Sequence, residues 1–317
     1  MTDEKQTPFS GTIDATVAQF PYQYRTLPIA RLADLQADIE KLRHAGQISD
    51  AEIFQSYVSQ MSFSLPESFP KAQSIIILAL AVPPRLFHCQ YNGQRIPITM
   101  PSNYYEPGLT GKMLTVTVQN EIIGAPGYQL KPVYTYHLKL LAVRSGLGRY
   151  GRNNICYVEG MGSFLTLHAY LTDYRFETDG WQEIRALELC QDCSICLEHC
   201  PMGAIRAENF VIDVKRCMPL YNEVQGSFPD WFPAGVHHTF MGCMKCQYPC
   251  PANRVALKQL GQLEDLTEDE TRQFASGSPD EATILSVSQK LKVPYMVGSP
   301  ETVEVACRNL KALLPVG

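Results

Sequence analysis

Two runs of cysteines in the second half of the chain constrain its fold more than any other feature. The first run spaces four cysteines by two, two and three residues before a proline, and the second run repeats the last three cysteines and the proline. The runs consist of Cys190, Cys193, Cys196 and Cys200, then Cys243, Cys246 and Cys250. This spacing is typical of bacterial-type ferredoxins with two cubane clusters, in which the last cysteine of each run binds the other cluster. The sequence therefore predicts two [4Fe–4S] clusters.

The count of ligands singles out one further cysteine. Two cubane clusters need eight thiolates between them, and the two runs supply seven. Phe240 stands where the repeat would place the eighth, and Cys217, between the runs, is its natural replacement. The crossing pattern then assigns Cys190, Cys193, Cys196 and Cys250 to the first cluster and Cys200, Cys217, Cys243 and Cys246 to the second.

Two other uses of cysteine fit less well. Zinc takes pairs of closely spaced cysteines, but it does not explain the cysteine–proline steps or the eight thiols. Disulfides need an oxidising compartment, and the chain starts with no recognisable secretory leader. We therefore expect a cytoplasmic protein with reduced thiols. The three remaining cysteines, Cys89, Cys156 and Cys307, are expected to be small buried apolar residues.

Composition and charge limit the possible partners. The chain has 317 residues, 45% of them hydrophobic, with a net charge of −5. An acidic chain argues against broad nucleic-acid binding, which needs a basic surface. The apolar run over 74–82 is too short to cross a membrane. We therefore expect neither a nucleic acid nor a membrane as partner.

The hydrophobic pattern predicts a mixed α/β (α+β) fold. The predicted helices cover 29–44, 114–123, 136–145 and 302–314, the predicted strands cover 74–82 and 164–171, and a long functional loop covers 87–111. We expect a first α/β domain over 1–183 and a ferredoxin-like module over 184–258. A helical segment over 259–317 is expected to pack on the first domain.

A glycine-rich segment carries a resemblance to a known family. The segment 145–154 reads Ser-Gly-Leu-Gly-Arg-Tyr-Gly-Arg-Asn-Asn, and its glycines follow a predicted helix, unlike those of a dinucleotide fingerprint. Gly-Ser-Phe at 162–164 and Leu-Thr-Asp at 171–173 follow in order, and an apolar strand with a leading Leu-Pro precedes it at 65–80. Together with the cysteine runs, this order resembles the epoxyqueuosine reductase family, which is related to the reductive dehalogenases. We expect a divergent member.

The resemblance implies a cobalamin bound without a lower axial ligand from the protein. It also implies a nitroreductase-like cobalamin-binding domain that holds the corrinoid against the cluster module. The candidate corrinoid-binding residues are Gly146, Gly148, Arg149, Gly151, Asn153, Asn154 and Ser163. Glycines let the backbone approach a flat ring, and amide and hydroxyl side chains can donate hydrogen bonds to it. Alternatively, these glycines serve only a helix C-cap and a tight turn.

Two departures from the family bear on the substrate. The family carries an Asp-Tyr-His segment whose aspartate is the presumed proton donor, and this chain has none; Tyr104, Tyr105 and Glu106 occupy the corresponding loop. We therefore predict these three as the catalytic acids, although the tyrosines could equally be packing residues and Glu106 solvated. Only 67 residues follow Cys250, too few for the helical repeats that help many members to hold tRNA.

The predicted function is that of a cobalamin-dependent iron–sulfur reductase. Electrons from an external ferredoxin or flavodoxin type of donor would pass through the clusters to the cobalt, taking Co(II) to Co(I), and reduce a small-molecule substrate. One alternative is a corrinoid reductase, reactivase or electron-transfer protein that serves a partner enzyme. Another is a true epoxyqueuosine reductase that acts on tRNA.

Overall fold

The computed structural model describes residues 9–15, 18–208, 211–233 and 235–315. The strands are β1 (Phe9–Ala15), β2 (Ala18–Pro28), β3 (Ser74–Ala81), β4 (Arg85–Tyr91), β5 (Gln94–Met100), β6 (Leu130–Val133), β7 (Arg149–Tyr150), β8 (Cys156–Tyr157), β9 (Leu165–Thr172) and β10 (Gly261–Gln262). The α-helices are α1 (Arg31–His44), α2 (Glu52–Ser59), α3 (Gly111–Thr117), α4 (Leu138–Arg144), α5 (Ile195–Glu198), α6 (Pro219–Asn222), α7 (Glu268–Ser276), α8 (Glu281–Leu291) and α9 (Pro300–Leu313).

The contacts divide the chain into two compact units. The first comprises the described residues up to Ala81 together with 108–192, and the second comprises 82–107 together with the described residues from Cys193 onward. The segment 259–315 thus lies in the second unit. The functional division into three domains stays a prediction. No helix among the described residues is long and apolar enough to cross a membrane.

The first unit is built on a five-stranded antiparallel sheet in the order β1-β2-β3-β9-β6. Its central strand β3 is buried almost throughout because both of its faces are covered, as its continuous apolar run predicts. Helix α4 packs against β3 and β9. The predicted helix over 29–44 is confirmed as α1, and the predicted strands are confirmed as β3 and β9. The predicted mixed α/β fold class is confirmed.

A largely buried ion pair links the end of α4 to α1. The Arg144 guanidinium donates to the Asp38 carboxylate through Nε at 2.7 Å and through Nη2, and Nη1 donates to the Gln182 carbonyl at 2.9 Å. Both side chains of the pair are only 12% and 13% exposed. Removing one member would leave the other charge poorly solvated, which is costly in a largely buried site.

We expect Asp38→Asn to lower the free energy of unfolding by about 1–3 kcal/mol because the amide cannot balance the guanidinium charge. Anaerobic thermal unfolding of the holoprotein would measure this loss. Asp34→Asn is the matched control, since Asp34 pairs with Arg31 but its side chain is 47% exposed. A loss for Asp38→Asn no larger than for Asp34→Asn would contradict the assigned role.

The second unit contains a hairpin where the sequence predicted a long loop, so that prediction is wrong. Strands β4 and β5 pair antiparallel in full register, and β10 adds to β4 in parallel. The turn residues Asn92 and Gly93 have φ of 49° and 74°, as the favoured two-residue hairpin turn requires. Pro97 lies on β5, an edge strand, where the missing N–H breaks no ladder.

The chain's last helices complete the second unit. Helix α7 packs against β4 and α9. It begins with a capping box, in which the Thr267 hydroxyl accepts from the Glu270 N–H and the Glu270 carboxylate accepts from the Thr267 N–H. The predicted helix over 302–314 is confirmed as α9.

Candidate functional site

The cysteines of the two runs lie on very short elements. Cys190 ends a three-residue 3₁₀ turn, Cys196 lies on the four-residue helix α5, and Cys250 precedes the 3₁₀ turn Pro251–Asn253. None of the eleven cysteines is in a disulfide. The cysteines are therefore held on turns and short helices rather than on long regular elements.

The surroundings of the second predicted ligand set fit a cluster. Cys200 and Cys243 pack against the buried side chains of Met202, Met218 and Val236. The Cys200 sulfur accepts a hydrogen bond from the Ala204 N–H at 3.3 Å. Burial raises the pKa of Cys243 to about 11. An apolar pocket with an N–H donor to sulfur is the environment that holds an iron–sulfur cluster.

Two side chains outside the predicted ligand set hold the loop of the second run. Asn222 is fully buried and exchanges two hydrogen bonds with the backbone of Gly242, one from its Nδ2 at 2.7 Å and one to its Oδ1 at 3.1 Å. His238 Nε2 accepts from the Met244 N–H at 3.0 Å. Burial lowers the pKa of His238 to about 4, so the ring is neutral at physiological pH. These residues position the loop that carries Cys243.

Tyr104 lies beside this loop. Gly242, at φ +71°, faces its ring so closely that an added Cβ would lie 2.6 Å from Cε2. The Tyr104 hydroxyl donates to the Glu223 carboxylate, and its backbone carbonyl accepts from the Tyr295 hydroxyl at 2.7 Å. Burial, followed by the charge of Glu223, holds the pKa of Tyr104 well above its usual value. Its proton therefore stays in place at neutral pH, next to an acceptor.

Tyr105 and Glu106 have different surroundings. The Tyr105 hydroxyl donates to the Pro83 carbonyl at 2.6 Å and accepts from Arg85 Nε at 3.1 Å, and its ring is buried. Glu106 is exposed, and its backbone N–H donates to the Lys292 carbonyl at 2.8 Å. Of the three predicted acids, Tyr104 alone combines a hydroxyl with a carboxylate partner.

The glycine segment of the first unit is closely packed. Gly146 follows α4 at φ +76°, a helix C-terminal conformation that favours glycine. An added Cβ would lie 2.6 Å from Cys156 Sγ at Gly148 and 2.6 Å from Asn153 Oδ1 at Gly151. The N–H groups of all three glycines donate to carbonyls of the chain itself. The N–H groups of these glycines, and the space that a side chain would take, are therefore already occupied by the chain itself.

The polar side chains of the segment are also engaged. Asn153 Nδ2 donates to the Tyr157 hydroxyl at 2.9 Å, and Lys139 Nζ donates to Asn154 Oδ1 at 3.0 Å. Arg149 pairs with Glu188 at 2.9 Å, with the Arg149 side chain 37% exposed and the Glu188 side chain 82% exposed, and Ser163 is buried. The role of this segment in binding a corrinoid stays a prediction.

Comparisons with known proteins identify the cluster module. The family model "4Fe-4S double cluster binding domain" matches residues 189–253. The prediction of two iron–sulfur clusters is therefore confirmed, while the assignment of each cysteine to a cluster stays a prediction.

The relatives and solved structures point to one enzyme family. The Staphylococcus aureus epoxyqueuosine reductase is 26% identical over 59% of this chain and 50% of its own length. This chain thus spans about half the length of that relative. The Streptococcus thermophilus epoxyqueuosine reductase structure shares the fold, with a TM-score of 0.59 and 17% identity over 90% of this chain and 75% of its own. An epoxyqueuosine reductase crystallised with an epoxyqueuosine-modified tRNA-Tyr stem loop has a TM-score of 0.56 and 17% identity over 95% of this chain and 76% of its own.

These comparisons correct the predicted substrate and partner. The preference for a small-molecule substrate, and the expectation that nucleic acid is not a partner, are wrong because the relatives are named for epoxyqueuosine and one is bound to modified tRNA. The physical reason is that a net charge of −5 averages over the whole surface and does not exclude a local basic patch. The relatives are oxidoreductases, as predicted here. The resemblance to the epoxyqueuosine reductase family is therefore confirmed: this chain is similar in sequence to proteins of that name over part of its length and shares their fold.

Proposed function

We propose that this chain reduces epoxyqueuosine in tRNA. The observation that carries the proposal is the combination of a double-cluster domain at 189–253 with a fold that matches epoxyqueuosine reductases over 90% of the chain. Reducing an epoxide to an alkene takes two electrons and two protons and releases the oxygen as water. Iron–sulfur clusters supply electrons singly, so a second group must collect them at the substrate.

That group is proposed to be cobalamin, bound by a nitroreductase-like first domain. When bound, it would supply a strongly nucleophilic reduced cobalt. In the glycine segment, Gly146, Gly148 and Gly151 are packed against the chain's own side chains, so they would support the fold of the binding region rather than contact the ring, with Asn153, Asn154 and Ser163 nearby in sequence. Arg149, partly exposed and paired with the exposed carboxylate of Glu188, would meet an anionic group of the cofactor or the tRNA.

The chain's own acid is proposed to be Tyr104. Its hydroxyl keeps its proton, and Glu223 holds the hydroxyl in a fixed orientation. A tyrosine at this position would replace the family's aspartate, so the departure in sequence need not imply a different reaction. The buried Tyr105 is proposed to support the loop through Pro83 and Arg85.

The test is turnover of tRNA that contains epoxyqueuosine. Reconstituted holoprotein with both clusters, cobalamin and a chemical reductant should convert epoxyqueuosine to its deoxygenated product, detected by mass spectrometry of the digested tRNA. Omitting cobalamin should remove turnover, and a base-off Co(II) spectrum should show that cobalamin binds. Stoichiometric clusters and bound cobalamin without any turnover would overturn the proposal.

A further inference from the structure

An exposed tryptophan lies on the second unit. Trp231, one of only two tryptophans in the chain, is 48% exposed. Single exposed aromatic side chains are common on protein surfaces, and Tyr57 and Tyr134 are also exposed here. What distinguishes Trp231 is its fixed orientation and the positive charge beside it.

The ring is held in place by a set of aromatic contacts. Tyr221 meets it edge-on at 5.7 Å between centroids, and Phe232 at 4.9 Å. The Tyr221 hydroxyl donates to the Lys215 carbonyl at 2.6 Å, and Arg308 donates to the Tyr221 carbonyl at 3.0 Å. A rigid, pre-positioned ring loses little conformational entropy when a second flat group stacks on it.

Positive charge lies beside the ring. The Arg216 guanidinium is 6.0 Å from the centroid of Trp231, and its Nε donates to the Met202 carbonyl at 2.7 Å, which fixes its direction. The side chains of Arg216 and Lys215 are both exposed. They directly precede Cys217, a predicted ligand of the second cluster. A basic pair next to an exposed indole is complementary to a phosphate and an unstacked base.

We infer that Trp231 and Arg216 form a binding site for an unpaired nucleotide of the tRNA substrate, with the base stacked on the indole and the phosphate on Arg216 and Lys215. The inference rests on the proposed function, since it names a contact for the same substrate. It adds a positioning surface on the segment that carries Cys217. Stacking on an aromatic side chain is sequence-tolerant, so this contact strengthens binding rather than selecting a base.

Binding of a fluorescein-labelled, unmodified tRNA-Tyr anticodon stem loop to the holoprotein tests the inference by anisotropy. Trp231→Ala should weaken binding roughly tenfold or more, and Trp231→Phe should keep most of the affinity. Arg216→Ala should weaken binding and lower the salt dependence by about one charge. Turnover at saturating tRNA should change little in these variants, so the loss appears in KM and not in kcat.

Two control variants remove an exposed aromatic ring and a guanidinium group that lie outside the proposed nucleotide site. Tyr57→Ala removes a ring that is 49% exposed on α2, and Arg272→Ala removes a guanidinium that lies 5.4 Å over the ring of Tyr91. Both should bind the stem loop like the wild type. In every variant, the cluster absorbance must match that of the wild type.

A second measurement avoids dependence on the folding of the variants. Irradiating wild-type holoprotein with a stem loop that contains 4-thiouridine should crosslink the RNA to the peptide that contains Trp231. If the stem loop binds but crosslinks only elsewhere, and Trp231→Ala binds like the wild type, the inference is overturned while the proposed function stands. If wild-type protein turns over tRNA without measurable affinity for the stem loop, the inference also fails, and only the proposed function survives.

Discussion

Replacing Cys217 by alanine should remove one of the two clusters and abolish turnover. Cys217 directly precedes the buried Met218, against which Cys200 and Cys243 pack, and this adjacency supports its assignment to their set. A cubane with three thiolates loses iron readily, and the iron content should fall from about eight to about four atoms per chain. Iron and sulfide analysis, with electron paramagnetic resonance of the reduced protein, would measure the loss.

Cys307→Ala is the matched control for this experiment. Cys307 is also a buried free thiol, on α9, but lies outside the predicted ligand set. The control should keep its full iron content and lose only about 1 kcal/mol of stability. Full iron content in Cys217→Ala, or a loss of iron in Cys307→Ala, would show that the eighth ligand has been assigned wrongly.

Regular elements could be predicted where a local pattern decides the structure. The apolar run of β3 and the helical spacing in α1 reflect burial that depends on few neighbours, and both elements appear within two residues of their predicted bounds. The hairpin of β4 and β5 was missed although Asn92 and Gly93 carry a strong turn signal. The prolines, tyrosines and asparagines around it favoured a loop, and pairing with β10 is a contact that no local pattern contains.

In the candidate site, too, the sequence predicts the features that a local pattern determines and misses those that depend on distant residues. The cysteine spacing predicts the two clusters because the ligand loops are short and local. The residues that support these loops are remote in sequence: Asn222 holds Gly242 from 20 residues away, and Glu223 meets Tyr104 across 119. Only the folded chain brings them together. The spacing of the glycines did not predict their contacts. Gly148 packs closely against Cys156, and Gly151 packs closely against Asn153.

The expectation of a small-molecule substrate was also wrong for a physical reason. Net charge describes the whole surface of a protein, whereas a nucleic acid contacts only part of a surface. Lys215 and Arg216 give the second unit exposed positive charge although the net charge of the chain is −5. An absent aspartate argues against a reaction only if no other acid can take its place. Tyr104, with its carboxylate partner, is the acid proposed here to take that place.

Tyr104→Phe should lower kcat for epoxyqueuosine reduction by roughly 10²- to 10⁴-fold, the usual contribution of a positioned general acid. The phenyl ring keeps the contact with Gly242, so iron content and tRNA affinity should stay at wild-type levels.

Tyr105→Phe is the matched control: it also loses one hydroxyl, but that hydroxyl is bonded to Pro83 and Arg85. It should lose about 1 kcal/mol of stability and keep kcat within about threefold. Single-turnover kinetics with preloaded tRNA would separate the chemical step from binding. Near-normal turnover in Tyr104→Phe would leave Tyr104 a packing residue and place the proton donor elsewhere, because the variant lacks the hydroxyl group to which the proposal assigns the transferred proton.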